Sequence, residues 1–268
     1  MSEIPSLLLV GCGRMGSAML AGWRERGLDA SFAVDPAPDA ARNAGADLTV
    51  VGDLASVPAG FAPAAVVLAV KPQSAAEALP AYGRFAGSAV FLSIMAGRTI
   101  GGIQALLGGS AAIVRAMPNT PAAVRQGITV ATPSASVTAG QRKLCENLLR
   151  AIGLVEWVEA EGLLDPVTAV SGSGPAYVFL LAELMEQAAI EQGIAPDLAR
   201  VLARQTVAGS GALLAASAES AAELRKAVTS PAGTTEAALK VLMAPDALPK
   251  AFSEAIAAAT RRSRELAG

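Results

Sequence analysis

The stretch LLLVGCGRMGSAMLAGW, residues 7–23, decides how the rest of the chain is read. A short aliphatic run ends at Val10, Gly11, Gly13 and Gly16 follow in G-x-G-x-x-G spacing, and a helix-prone segment begins at once. Strand, glycine turn and helix start, in that order, form the context a dinucleotide fingerprint requires. Gly11 permits the tight turn, Gly13 lets the backbone approach a pyrophosphate, and Gly16 allows close helix–strand contact. Cys12, Arg14 and Met15 complete the expected cofactor loop, with helix amides facing the phosphates. About 20 residues further on, the second strand should end in the residue that meets the adenine ribose. Asp35 closes SFAVD there. A carboxylate accepts from both ribose hydroxyls and repels a 2′-phosphate, which favours NADH, while Arg42 leaves NADPH open.

Working outward, short Val/Leu/Ile runs alternate with helical segments through the first 160 or so residues, the rhythm of βαβ units. Strands are expected at 7–10, 32–35, 48–51, 66–70, 90–94, 112–117, 128–131 and 154–158, and helices at 15–26, 75–84 and 139–151. Runs such as AVVLAV lack period-two alternation, as strands covered on both faces of a mostly parallel sheet do. After Glu161 the strand signal stops. Helices are expected at 165–170, 175–192, 196–216, 221–228, 235–242 and 248–266, several with Pro near the start. The fold class is therefore an α/β Rossmann-like domain, residues 1–161, followed by an all-α domain, residues 162–268. The Ala-rich helices have little polar face and call for close packing or burial against another subunit.

Composition narrows the function. The 268 residues carry a net charge of −2 and no basic cluster, so neither nucleic acid nor an anionic membrane is expected as partner. A small molecule is. Although 53% of residues are apolar, no stretch of 18 or more lacks polar interruption, and no membrane span is expected. Glu3 stands where a signal peptide needs positive charge, and Cys12 and Cys145 have no paired spacing, which together indicate a cytoplasmic protein. The chain has no histidine. Ser/His/Asp triads are thereby excluded, and with two thiols no metal site is expected.

Four further stretches join the glycine loop: AVKPQ (69–73), RAMPNTPA (115–122), AVSGSGPAYVF (169–179) and LRKAVTSPAGTT (224–235). With these, in this order and spacing, the chain resembles the pyrroline-5-carboxylate reductase family from its first strand to about residue 242. The resemblance implies a helical domain that intertwines with its twin, active sites at the dimer interface, and NADPH or NADH as cofactor. It implies hydride transfer to the C=N carbon of the cyclic imine 1-pyrroline-5-carboxylate, giving L-proline, the last step of proline biosynthesis. It implies that Ala69, Val70, Lys71 and Pro72, and Ile94, Met95 and Ala96, line the cofactor. Ser230, Gly233, Thr234 and Thr235 would then contact the substrate carboxylate. Ala232 departs from the family's usual glycine; if that position takes positive φ, the alanine is strained by roughly a kcal/mol or more. Asp35 departs too, since many relatives carry Ser or Arg there and prefer NADPH.

Imine reduction needs a hydride and one proton, with no difficult leaving group, so positioning and electrostatics suffice and a missing histidine is tolerable. Thr235, near a helix start, is the candidate partner of the ring nitrogen. Lys71 follows a strand carboxyl end, where ligands of open α/β sheets gather, and is the second catalytic candidate. Asn119 stands after the sixth strand, to contact the nicotinamide or support the loop. Ser173, within SGSGP (171–175), admits substrate or caps the helix opened by Pro175. The hydroxyl-rich knot at 228–239 is expected to end one helix and start another capped by Thr234 or Thr235, presenting free amides and hydroxyls to a carboxylate without an arginine. A β-hydroxyacid dehydrogenase shares the glycine loop and an all-α second domain but uses a lysine on the opening helix, and residues 165–192 contain none. A dinucleotide-binding protein without turnover is the remaining alternative.

Overall fold

The computed structural model describes residues 3–267 and divides into two compact units, one reaching to Gly172 and regaining the chain from Ala259, the other Ser173–Ala258. The first unit is built on eight strands: β1 Leu7–Val10, β2 Ser31–Val34, β3 Leu48–Val51, β4 Ala65–Leu68, β5 Val90–Ser93, β6 Ile113–Met117, β7 Gly127–Pro133 and β8 Gly153–Trp157. They form one sheet in the order β3-β2-β1-β4-β5-β6-β7-β8. All pairs are parallel except β6 with β7, where Met117 opposes Val130. Strand order reverses between β1 and β4, the switch point at which open α/β sheets bind ligands.

Both faces of the sheet are covered, which is why its central strands read as unbroken apolar runs. Leu7 and Leu9 point into a core shared with Met19, Leu20 and Trp23 of α1 (Arg14–Glu25) and Leu148 and Leu149 of α4 (Ala139–Arg150). Trp23 is 1% exposed, and its Nε1 donates to the Leu148 carbonyl at 3.0 Å, locking α1 to α4. Leu8 and Val10 point the other way, towards Leu79, Tyr82 and Phe85 and the α3 residues (Ile100–Leu107) Ile103 and Leu107. The helix expected at 75–84 is only α2, Ala75–Ala78; a 3-10 segment, Leu79–Phe85, takes over where Pro80 removes a donor and Gly83 weakens the helix. Helix α3 was not expected, because Gly101 and Gly102 dilute its signal; Thr99 caps it by accepting from the Gly102 amide at 3.1 Å.

The compact units divide after Gly172. Helix α5, Leu164–Val167, runs into a π-turn at Thr168–Gly172, where the Thr168 and Ser171 hydroxyls bond back to the carbonyls of Leu164 (2.6 Å) and Val167 (3.0 Å). Such back-bonding competes with the helical ladder and loosens it. The chain also returns: Ser263 Oγ donates to Asp165 Oδ1 at 2.7 Å, and Leu266 lies against Gly97, so the end of the last helix belongs to the first unit.

The second unit is helical throughout, with α6 Gly174–Glu191, α7 Pro196–Ala216, α8 Ala221–Ala227, α9 Thr234–Leu242 and the first part of α10 Leu248–Ala267. Helices α6 and α7 pack together, and Ala199 and Ala203 are the buried residues between Ser173 and Ala258. Phe179 is 66% exposed and Val201 62%, and Leu180, Leu181, Leu184 and Leu213 are exposed as well. The helical run 161–191 is, among the described residues, long and apolar enough to cross a membrane by length and composition, its most apolar 18-residue stretch having a mean hydropathy of 1.3. Ser171, Ser173, Glu183, Glu186 and Gln187 interrupt that run, as the sequence led one to expect.

Candidate active site

The glycine loop sits where β1, β2 and β4 end. The Gly11 amide donates to the Val34 carbonyl at 2.9 Å and the Ala69 amide to the Val10 carbonyl at 2.8 Å. Gly11 has φ +98°, and a Cβ there would stand 2.7 Å from the Ala69 carbonyl oxygen. A Cβ on Gly16 would collide with the Gly11 carbonyl oxygen. Both glycines are therefore demanded by the protein's own backbone. Gly13 is not: its φ of −63° and ψ of −172° suit any residue, and a Cβ would meet nothing within 4 Å. Open space over an extended glycine, at a helix start with no side-chain cap, fits an anionic group laid against the backbone.

Asp35 ties this loop to β2. Its Oδ2 accepts from the Cys12 amide at 2.6 Å and its Oδ1 from the Ala37 amide at 2.9 Å. Ser17 Oγ donates to the Cys12 carbonyl at 2.8 Å from the first turn of α1. The Cys12 thiol points into the core, where burial and then the Asp35 charge push its pKa up to about 11. Arg14 is exposed at the loop's outer edge and Met15 half-buried.

Across the switch point, Ala69 and Val70 are half-buried after β4, Lys71 is exposed, and Pro72 opens a 3-10 turn. The Pro72 carbonyl is gripped by Arg98, whose Nε and Nη2 donate at 3.0 and 2.7 Å. That clamp joins the β4 loop to the β5 loop, where Ile94 is half-buried, Met95 buried and Ala96 exposed. Met95 thus offers a ligand backbone more than side chain. Asn119 is spent structurally: Oδ1 accepts from the Ile128 amide at 2.9 Å and Nδ2 donates to the Ser171 carbonyl at 3.1 Å. Arg115, 3% exposed, donates from Nη1 to Glu161 Oε1 at 2.8 Å, and the same oxygen accepts from the Ile100 amide at 2.8 Å. Arg98 and Glu161 were missed by the sequence reading, since an isolated charge carries no signal of a partner 26 or 46 residues away.

In the second unit, α8 ends at Ala227 with Val228 as its C-cap, and Thr229 closes it by donating Oγ1 to the Arg225 carbonyl at 2.6 Å. The Gly233 amide donates to the Ser230 carbonyl at 3.1 Å to make the turn, and α9 follows. Neither threonine caps it, contrary to expectation. Gly233 is the N-cap, with no side-chain bond, and Thr234 and Thr235 occupy the first turn. A Cβ there would run into Ser230 Oγ, so any larger residue at 233 makes the Ser230 hydroxyl turn away. Ser230 and Thr234 are exposed and Thr235 half-buried. Ala232 has φ +57°, the left-handed region anticipated as costly for alanine, and its amide donates to Glu236 Oε2 at 2.8 Å. Glu236 is the residue of this loop the sequence reading passed over. Ser173 likewise makes no capping bond; it is already helical, at φ −85° and ψ −23°, because the π-turn runs straight into α6.

Residues 161–266 match the family described as pyrroline-5-carboxylate reductase dimerisation, and residues 6–97 the family described as NADP oxidoreductase, coenzyme F420-dependent. The pyrroline-5-carboxylate reductase of Pseudomonas aeruginosa is 36% identical over 98% of this chain and 97% of its own. That of Haemophilus influenzae is 34% identical over 97% of each. Among solved structures, a pyrroline-5-carboxylate reductase from Coxiella burnetii superposes with a TM-score of 0.89 at 33% identity, covering 98% of both chains. One from Plasmodium falciparum, described with NADP bound, gives 0.81 at 27% identity over 98% of this chain and all of the other. With its fingerprint loop, its hydroxyl-rich turn and this likeness along its whole length, the chain belongs to the pyrroline-5-carboxylate reductase family.

Proposed function

We propose that the chain reduces 1-pyrroline-5-carboxylate to L-proline with a nicotinamide dinucleotide. The C=N carbon gains a hydride and the nitrogen a proton. The observation that carries the dinucleotide site is Gly13, whose missing Cβ the protein's own packing does not explain. Gly11 to Gly16 hold the pyrophosphate against the start of α1, Asp35 faces the adenine ribose, and Ala69 to Pro72 with Ile94 to Ala96 and Asn119 border the remainder. When bound, the nicotinamide supplies the hydride. The chain's residues bind, orient and hold a proton. Ser230, Gly233, Thr234 and Ser173 are assigned the substrate carboxylate, which uncapped helix amides stabilise without a buried countercharge. The Thr235 hydroxyl is assigned the ring nitrogen, and Lys71, the cation after β4, the second catalytic role.

Asp35 makes NADH the favoured cofactor: its charge lies 2.6 Å from the Cys12 amide, and a 2′-phosphate brought to it meets an anion. The exposed faces of α6 and α7 are assigned to self-association, in keeping with the dimerisation family matched there, and the enzyme to the cytoplasm. Steady-state oxidation of NADH and NADPH driven by the five-membered imine tests the reading. Turnover that Thr235→Ala lowers at least tenfold is expected. Dinucleotide binding without imine-dependent turnover sinks it, and equal turnover in Thr235→Ala removes that residue from the reaction.

A further inference from the structure

Ala232 is exposed and left-handed, so no packing holds it in a conformation that L-residues avoid. The Gly233-to-Ser230 bond closes the turn around it but does not touch its own amide. Among the described residues, the side chain that bonds to the Ala232 amide is Glu236, one turn ahead in α9. A carboxylate in the first turn of a helix is favoured by the helix field, and a charged acceptor makes the stronger kind of hydrogen bond. Glu236 is also half-buried, which limits its freedom to leave. Between them, the bond and the strain act on one peptide unit, immediately before the amides of Gly233, Thr234 and Thr235. A return of Ala232 to negative φ, which L-residues favour, would turn those amides to a different direction.

We infer that Glu236 is a positioning residue for substrate binding, holding Ala232 in its left-handed conformation so that the following amides and hydroxyls converge; this rests on the assignment of the loop to the substrate carboxylate. The test measures imine KM, kcat and dinucleotide affinity in Glu236→Ala, Glu236→Gln, Ala232→Gly and the double variant Ala232→Gly/Glu236→Ala, all as the assembled enzyme. Glu236→Ala should raise the imine KM about tenfold, a coupling of ordinary size for neighbouring groups, and leave dinucleotide affinity within about twofold. Glutamine, which keeps an acceptor, should recover most of the loss. Glycine at 232 visits positive φ freely, so in that background removing Glu236 should cost less than about threefold. An equal loss in both backgrounds overturns the inference, as does a KM unmoved by Glu236→Ala. Ser230→Ala separates this from the loop assignment: a raised KM there beside a flat Glu236→Ala sinks only the role of Glu236, whereas a flat KM in both sinks the assignment of the loop itself.

Discussion

Replacing Gly13 with alanine separates what the glycine loop does for the fold from what it does for the ligand. The residue is extended, and the added methyl meets no protein atom within 4 Å. Restricting the unfolded chain stabilises by about 0.4–1 kcal/mol, and losing glycine for alanine at an N-cap costs a similar amount. Net stability should stay within about 1 kcal/mol of the parent. The same methyl occupies space assigned to the pyrophosphate, and overpacking of that kind costs about 1–3 kcal/mol. At 1.4 kcal/mol per tenfold, the dissociation constant rises by about 5- to 150-fold. The control is Gly16→Ala, whose methyl strikes the Gly11 carbonyl oxygen, part of a backbone that cannot rotate away. A penalty near 3 kcal/mol there lowers Tm by about 6–12 °C. Thermal unfolding and fluorescence titration with NADH and NADPH read both quantities. Unchanged dinucleotide affinity in Gly13→Ala would refute the pyrophosphate assignment, and a Tm loss matching that of Gly16→Ala would show that the open space has a structural purpose.

Asp35→Ser removes the anion while keeping an acceptor near the Cys12 amide; the ratio of kcat/KM with NADPH to that with NADH should rise at least tenfold, and an unchanged ratio refutes the assignment. Glu161→Ala leaves the Arg115 guanidinium, 3% exposed, without its carboxylate, and urea unfolding should show a loss of about 3 kcal/mol. For the thiols, burial pushes Cys145 to about 12 and, with Asp35, Cys12 to about 11, so neither should react with a thiol reagent at pH 8 in the native enzyme. Because both folded values lie above the ordinary 9.0, their contribution to stability is complete below pH 9 and is lost as pH rises towards 11 and 12, which an alkaline unfolding series detects.

Local pattern carried the sheet: all eight strands stand within a few residues of where apolar runs put them, since a doubly covered strand has no other composition available. What local pattern cannot carry is pairing at a distance. Spacing singled out Asp35 at the end of β2, yet its bond to the Cys12 amide follows from how β1 and β2 lie side by side. Arg98 and Pro72, and Arg115 and Glu161, were invisible for the same reason. In the hydroxyl-rich turn the helix start was legible and its cap was not. The turn closed by the Gly233-to-Ser230 bond starts the helix one residue before Thr234, so glycine takes the cap and the threonines stand inside.

Ala199 and Ala203 are the fully buried residues of the second unit, and across its eighty-six residues, 173–258, Phe179, Val201, Leu213 and Val241 leave large apolar side chains exposed. At about 25 cal/mol per Å2 of apolar surface, so little burial leaves the chain entropy of that unit largely uncompensated within one protomer. If the proposed self-association of α6 and α7 covers that surface, midpoint temperature should climb with protein concentration. On that reading residues 173–258 have a stability measured in molarity, whereas the sheet-built unit buries a core of its own.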